Sequence, residues 1–141
     1  MFVHWGHSSQ RCCELSWPLV GGVFSLPFCG DIPVDEYHNT AKTFNPQNYD
    51  PNEWARLAKS LGMQYAILTT KHHDGFAMFH TQQSNFSIQH SPYGKDIVRE
   101  FIDAMPLHKL ISLTFLVSIV SLVPNSGSGS SSLCLGKCGS Y

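Results

Sequence analysis

The sequence predicts an α/β fold in which parallel strands alternate with helices. The recognisable elements follow the order strand, helix, strand, helix, and the second strand is a continuous apolar run, typical of a strand covered on both faces. In such folds the crossovers are right-handed, and the carboxyl ends of the strands form the ligand-binding edge. With 141 residues, 43% of them apolar, the chain is long enough to bury a core.

The first strand is predicted at the start of the chain. The first five residues form a short apolar run rich in β-forming side chains, and Gly6 interrupts it, so that His4 and Trp5 emerge at the strand's end. From residue 7 to residue 45 no period persists, while prolines and glycines punctuate the segment. This segment is therefore predicted to be a long loop, of a kind that is commonly functional or disordered.

The first predicted helix has clear signals at both ends. Asp50 can cap its amino end, Pro51 suits the first helical position, and Glu53 can reach back to the cap. Gly62 can end the helix in a left-handed conformation. An apolar stripe at positions i, i+3, i+4 and i+7 is then expected to face the core. The stripe consists of Trp54, Leu57, Ala58 and Leu61.

The second strand and the second helix are predicted from similar patterns. Tyr65 to Thr70 is an apolar and β-branched run of strand length, and polar residues 71–75 follow it directly. Between Lys95 and Met105 apolar residues recur at helical spacing, with Asp96 near the start, where the helix dipole favours a negative charge. Pro106 is expected to stop this helix.

The chain changes character after Met105. Residues 110–123 form one apolar run, which is shorter than the roughly 20 residues that a bilayer span requires. A buried strand or an isolated hydrophobic segment is therefore favoured, and membrane insertion is not expected. Residues 125–132 have the composition of a linker. We expect residues 1–105 to form the structured part of the chain and residues 106–141 to be a divergent, poorly ordered tail.

Charge and cysteine content exclude some functions and leave others open. Lys and Arg number 9 against 10 Asp and Glu, so there is no basic field for nucleic acid or anionic lipid, and neither partner is predicted. The cysteines fit no zinc spacing or familiar disulfide framework, which leaves the compartment unknown. They are Cys12, Cys13, Cys29, Cys134 and Cys138. The first six residues lack the basic and apolar regions of a secretory signal.

Histidines gather at the predicted carboxyl ends of the two strands. His4 and Trp5 follow the first strand, and His72 and His73 follow the second, so we expect all four around one pocket mouth. Imidazole nitrogens donate to or accept from hydroxyl groups, and an aromatic face stacks on the C–H side of a pyranose. The sequence therefore predicts a sugar-binding site with Trp5 as a possible stacking residue.

Other interpretations of the histidines stay open. Imidazoles together with Asp74 could ligate zinc, but neighbours in an extended chain point to opposite faces, so His72 and His73 could ligate one ion only at a bend. The sugar site is favoured, and neither a metal nor another cofactor is expected. The remaining histidines are interpreted as satisfied or solvent-facing side chains. They are His7, His38, His80, His90 and His108.

Several strings carry a resemblance to a known family. They are Phe2–Gly6, Ile32–Tyr37, Phe44–Pro46, Asp50–Trp54, Ala58–Lys59, Leu68–Phe76 and Asp96–Val98. The string that reads Thr-Lys-His-His-Asp-Gly-Phe is highly specific. Together they resemble the amino-terminal region of family 29 glycoside hydrolases, the α-L-fucosidases, to about residue 104.

The resemblance implies a fold, an activity and a set of site residues. The fold would be a truncated (β/α)8 TIM barrel, with the first two or three βα units present. The activity would be release of terminal α-L-fucose from fucosylated glycans or glycoproteins, with retention of configuration. His4, His72 and His73 would hydrogen-bond fucose hydroxyls. Members of the family are usually lysosomal, secreted or periplasmic.

The chain departs from the family's pattern in its carboxylates. The family's Glu-Trp pair after the first strand has no counterpart, since Glu14 and Trp17 stand at a different spacing. The family's aspartate nucleophile on the fourth strand and its separate acid/base carboxylate also have no counterpart in this sequence. A retaining glycosidase needs such a pair about 5 to 5.5 Å apart. We therefore expect a gene-model or splice fragment, or a chain with flanking sequence lost, that is inactive alone. A fucose-binding remnant without catalysis is the alternative.

Overall fold

A computed structural model describes residues 1–12, 32–108 and 110–116. The described residues form one parallel sheet in the order β1-β2-β3, with a helical connection after each of the first two strands. The strands are β1 (Phe2–Val3), β2 (Tyr65–Lys71) and β3 (Ile111–Leu116). The α-helices are α1 (Val34–Asn39), α2 (Pro51–Ser60) and α3 (Ile97–Leu107). The predicted α/β fold with parallel strands is confirmed.

The register of the sheet brings the carboxyl ends of β1 and β2 to one edge. Val3 lies opposite Leu68, and the chain begins beside β2, where the Met1 amino group donates to the Tyr65 carbonyl at 2.8 Å. The pairing of β2 with β3 has an irregularity between Thr69 and Lys71. Because the strands are parallel, the residues that follow Val3 and the residues that follow Lys71 face the same end of the sheet.

Helix α2 begins and ends as predicted. The Asp50 carboxylate accepts hydrogen bonds from the backbone N–H groups of Asn52 and Glu53 at 2.9 and 3.2 Å. Gly62 follows the helix with a φ of 72°, in the left-handed region. Its N–H donates to the Lys59 carbonyl at 3.0 Å, which satisfies a carbonyl that the helix itself leaves unpaired.

The predicted apolar stripe of α2 is only partly confirmed. Ala58 is buried as expected, whereas Leu57 and Leu61 are 57% and 64% exposed. The buried face runs instead through Ala55 and Ala58, which belong to the same core cluster as Leu68 of β2. Helix α2 packs through this alanine face mainly against α3, which leaves the two leucines on the outer side.

Helix α3 begins at its predicted cap but does not stop before Pro106. The Asp96 carboxylate accepts from the Arg99 N–H at 2.8 Å, and the helix continues through Pro106 to Leu107. A proline removes only the bond from its own nitrogen and crowds only the preceding turn. Because Pro106 lies in the last turn, the missing hydrogen bond does not end the helix there. The C-cap residue is His108.

The ends of the predicted long loop are partly helical. Two 3-10 helices form near these ends, at His7–Arg11 and Thr40–Thr43, and α1 lies directly before the second. Residues 13–31 of the predicted loop lie outside the described residues. These short elements have no strong intrinsic preference and are held by tertiary contacts. Gln10 Nε2 donates to the Thr40 carbonyl at 2.7 Å, and Arg11 pairs with Glu36 at 2.6 Å.

The apolar run after Met105 begins with a strand. Leu110 is buried, and β3 then pairs along β2, so the sheet continues past the expected boundary at residue 105. The rest of the expected tail, residues 117–141, lies outside the described residues. None of the helices within the described ranges combines the length and apolar character needed to cross a membrane. Cys12 is exposed and free, and the other four cysteines fall outside those ranges.

The core lies between the sheet and the helices α2 and α3. Its largest fully buried members include Leu68 of β2 and Phe101 and Met105 of α3. Residues of the β2–α3 connection, Phe76 and Met78 among them, close the core near the carboxyl edge of the sheet. The turn that follows β2 is therefore backed by packed side chains.

Candidate functional site

Three imidazoles that the sequence singles out lie together at the carboxyl edge of the sheet. The ring centroids of His4 and His72 are 4.8 Å apart, and those of His72 and His73 are 4.6 Å apart. His4 is exposed, and His72 and His73 are half-buried. The expected convergence of the two strand ends is therefore observed, and the role of these side chains in binding stays a prediction.

A turn after β2 brings the neighbouring histidines to one side. The Gly75 N–H donates to the His72 carbonyl at 3.0 Å, and Gly75 has a φ of 83°. A Cβ at Gly75 would meet no atom within 4 Å, so glycine is favoured there by the left-handed backbone and not by lack of space. Because the chain bends here, His72 and His73 need not point to opposite faces.

His73 sits in an environment that favours the neutral imidazole. Burial lowers its pKa below the ordinary value of 6.5, nearby Asp74 opposes this, and His4 adds to the lowering. Its Nδ1 is enclosed and makes no hydrogen bond within the described part of the chain. A neutral imidazole carries one donor and one acceptor, which suits a hydroxyl group of a ligand.

Two substitutions are expected to move the pKa of His73 in opposite directions. His4→Gln removes the electrostatic effect by which His4 lowers this pKa and should raise it, whereas Asp74→Asn removes a negative charge and should lower it further. NMR titration of the His73 ring measures both shifts. His90→Gln is the matched control, because His90 is exposed and borders a different cleft. Shifts of the same sign in the two test variants would contradict this account of the site.

Asp74 lies beneath the turn and contacts three groups of the described residues. It accepts from the Phe76 N–H at 2.9 Å and from the Tyr37 hydroxyl at 2.8 Å, and its Oδ2 is 3.1 Å from His7 Nε2. Burial raises the pKa of Asp74, but the hydrogen bonds from His7, Phe76 and Tyr37 outweigh it and hold that pKa below the ordinary value. The carboxylate is therefore ionised and fully engaged.

This arrangement bears on the zinc alternative. Asp74 is engaged by His7 and Tyr37, although it also lines the small cleft beside His72. Within residues 1–12, 32–108 and 110–116 no group of three His, Cys, Asp or Glu side chains is placed to hold a metal ion. The geometry gives the zinc interpretation no support.

The indole of Trp5 packs mainly into an aromatic cluster. Its ring centroid lies 5.7 Å from Phe44, 5.2 Å from Tyr49 and 5.5 Å from Trp54. These contacts join the end of β1 to the start of α2. Trp5 also borders a small cleft together with His72, so stacking on a sugar stays a prediction for that side of the ring.

Sequence pattern alone gives no role to the side chains that support the turn. His7 is fully buried: its Nδ1 contacts the Thr40 hydroxyl, and its Nε2 lies 3.1 Å from Asp74 Oδ2 without the geometry of a regular hydrogen bond. Both neighbours lie far along the chain. Tyr37 is fully buried as well. No local spacing signals such a network, and only the fold brings these residues together.

Comparison with known proteins decides the family. The family model described as alpha-L-fucosidase matches residues 1–123. The chain belongs to the α-L-fucosidase family. The match continues beyond residue 104, where the resemblance of the individual strings ends.

Relatives of this fucosidase-family chain are found among sequences and solved structures. α-L-Fucosidase 1 of Arabidopsis thaliana is 31% identical over 98 residues, which cover 64% of this chain and 19% of that protein. Isoenzyme 1 from Paenibacillus thiaminolyticus has a TM-score of 0.71 at 37% identity, over 82% of this chain and 25% of that one. The Lactobacillus casei enzyme in complex with its α-L-fucose product has a TM-score of 0.67 at 31% identity, over 82% and 36%. The chain thus spans only 19% to 36% of these relatives.

Proposed function

We propose that this chain supplies the fucose-binding edge of a catalytic domain that hydrolyses terminal α-L-fucose from glycoconjugates. The observation that carries the proposal is the convergence of the His4, His72 and His73 rings at one sheet edge. Family membership supports it, as does the similarity to an enzyme solved with its fucose product. The three parallel strands would be the first strands of a (β/α)8 barrel, whose ligand edge is the carboxyl end.

The chemistry of the three rings matches the sugar. A glycosidically linked fucose presents three hydroxyl groups on a compact ring, and each neutral imidazole can donate to one oxygen and accept from another. His73 is held toward its neutral form by burial, so it keeps this dual capacity at mildly acidic pH. Three imidazole rings placed together offer several donors and acceptors to the hydroxyls of one sugar.

Cleavage requires groups that we place outside this edge. A retaining glycosidase uses two carboxylates about 5 to 5.5 Å apart, one of them free to attack the sugar. Of the described residues that line the cleft beside His72, Asp74 alone carries a carboxylate, and its oxygens are already engaged. We therefore propose that His4, His72 and His73 bind and orient the sugar, and that these 141 residues alone do not break the bond.

Titration of the full 141-residue chain with L-fucose tests the binding proposal. Tryptophan fluorescence should change saturably, because Trp5 borders the cleft beside His72. His72→Ala should weaken the affinity about tenfold, the effect of losing roughly one good hydrogen bond to the ligand. D-Fucose, the mirror-image sugar, and His90→Ala serve as ligand and variant controls. A folded chain with no saturable response, or an equal response to D-fucose, would refute the proposal.

An aryl α-L-fucoside assay separates binding from cleavage. The chain is expected to show no turnover above background, since the engaged Asp74 cannot act as a nucleophile. Turnover that disappears in His72→Ala would show that a complete catalytic site is present. The alternative is a non-catalytic fucose-binding module. It is consistent with a chain that binds fucose and stays inactive, and it is supported by the engagement of Asp74 in other contacts.

A further inference from the structure

We propose that His7 is a positioning residue, which acts through Asp74 to hold the turn bearing His72 and His73 against the strand end that carries His4. The inference rests on the proposed fucose-binding function and deepens it. It names the group that sets the distance between the two halves of the sugar site. His7 itself is fully buried, so it does not touch the ligand.

The position of His7 lets one side chain join both strand ends. It follows His4 by three residues, and its Nε2 lies 3.1 Å from Oδ2 of Asp74, the residue directly after His73. Its ring also packs edge-on against Phe76 and obliquely against Tyr37, with centroids 5.0 Å away in each case. A displacement of His7 would therefore be transmitted to the turn through both a polar contact and ring packing.

Hydrogen-bond accounting assigns the proton on this contact. Asp74 is ionised and can only accept, so an attractive contact at 3.1 Å requires the hydrogen on His7 Nε2, although the approach is bent away from the angle of a regular hydrogen bond. On the other side, Nδ1 contacts the Thr40 hydroxyl, which also lies 2.7 Å from the Tyr37 carbonyl. That hydroxyl can donate to a neutral Nδ1 or turn to the carbonyl and accept from a protonated one. The link to Asp74 therefore survives either charge state of the ring.

The order hydroxyl, imidazole and carboxylate resembles a hydrolase triad, but the surroundings favour a positioning role. Thr40 is only 7% exposed, and both His7 and the Asp74 side chain are nearly inaccessible. Among the described residues, the titratable groups that face the His7 ring are Asp74 and Tyr37, and the other ring contacts are with Phe76 and Phe86. Within the described residues the Thr40 hydroxyl is buried and is engaged by His7 Nδ1 and the Tyr37 carbonyl.

The consequence for the site is geometric. Ligand affinity from three imidazoles depends on their mutual placement, and displacements near 1 Å are enough to lose much of the benefit. Loss of the His7 link would leave the turn held by Tyr37, the Phe76 N–H and its own internal bond. The rings of His72 and His73 would then shift relative to His4.

A set of His7 variants in the full chain separates positioning from packing. His7→Gln places an N–H close to the former Nε2, whereas His7→Asn places its amide near the former Nδ1 and cannot reach Asp74. We expect about tenfold weaker L-fucose binding and altered His72 and His73 ring resonances in His7→Asn, with less than about threefold weakening in His7→Gln. Equal behaviour of the two variants would overturn the proposal.

NMR of the unmodified chain tests the link without any variant or ligand. The Nε2–H of His7 should be observed and protected from solvent exchange, and it should shift in Asp74→Asn. A ring with its only hydrogen on Nδ1 would overturn the proposal even if the His7 variants failed to fold. If the unmodified chain does not bind L-fucose, the proposed function fails, whereas the ring resonances still decide whether His7 positions the turn.

Discussion

Asp74→Ala is expected to destabilise the fold by about 3 to 5 kcal/mol, because a buried carboxylate that accepts from several buried donors is lost. The substitution removes the carboxylate that accepts from the Phe76 N–H and the Tyr37 hydroxyl and that lies 3.1 Å from His7 Nε2. Each buried group left unsatisfied costs about 1 to 3 kcal/mol. Against a typical total stability of about 5 to 15 kcal/mol, this loss is a large fraction.

Urea denaturation followed by circular dichroism measures this loss. Asp103→Ala is the matched control, because Asp103 is an exposed carboxylate that pairs with Arg99 on the surface of α3 at 3.1 Å. A surface pair of this kind contributes less than about 0.5 kcal/mol. Similar midpoints for the two variants would mean that the contacts of Asp74 do not hold the turn.

The same carboxylate sets the response of the fold to acid. The pKa of Asp74 in the fold lies below its ordinary value of 3.8, so the unfolded chain binds the proton more readily. The stabilisation is therefore complete above the ordinary value and is lost as the pH falls through the folded value. Asp74→Asn should be less stable near neutral pH and should show a flatter dependence of stability on pH in this acid range.

The strands and their edge follow from local patterns in the sequence. β2 is a continuous apolar run, and His72 and His73 come directly after it, so their meeting with His4 requires only that β1 and β2 be parallel neighbours. The caps of α2 and α3 are equally local, since Asp50 and Asp96 bond to N–H groups two or three residues away. Features of this kind can be predicted because partners close in sequence are also close in space.

Features set by tertiary contacts could not be predicted in this way. The exposure of Leu57 and Leu61 depends on how α2 packs through its two alanines against α3. The role inferred for His7 depends on a carboxylate 67 positions away. The apolar run after Met105 fits a strand or an isolated segment equally, and its pairing with β2 decides between them for residues 111–116.

Phe101→Ala is expected to destabilise the fold by about 3 to 5 kcal/mol, the range for truncating a fully buried phenylalanine. Phe101 is 0% exposed and lies on the face of α3 that packs against β2 and β3. Its removal leaves a cavity that the sheet on one side and α2 on the other can close only in part. Chemical denaturation measures the loss, and Leu61→Ala, at a side chain 64% exposed, should change stability by less than about 0.5 kcal/mol.

The effect of Phe101→Ala on ligand binding should differ from that of the His7 variants. Phe101 supports the packing of α3 on the sheet, whereas the three imidazoles are placed by the β1–β2 register and by the turn above Asp74. The fraction of Phe101→Ala that remains folded should therefore bind L-fucose with nearly unchanged affinity. A loss of affinity equal to that of His7→Asn would mean that overall stability, and not the link from His7 to Asp74, sets the geometry of the site.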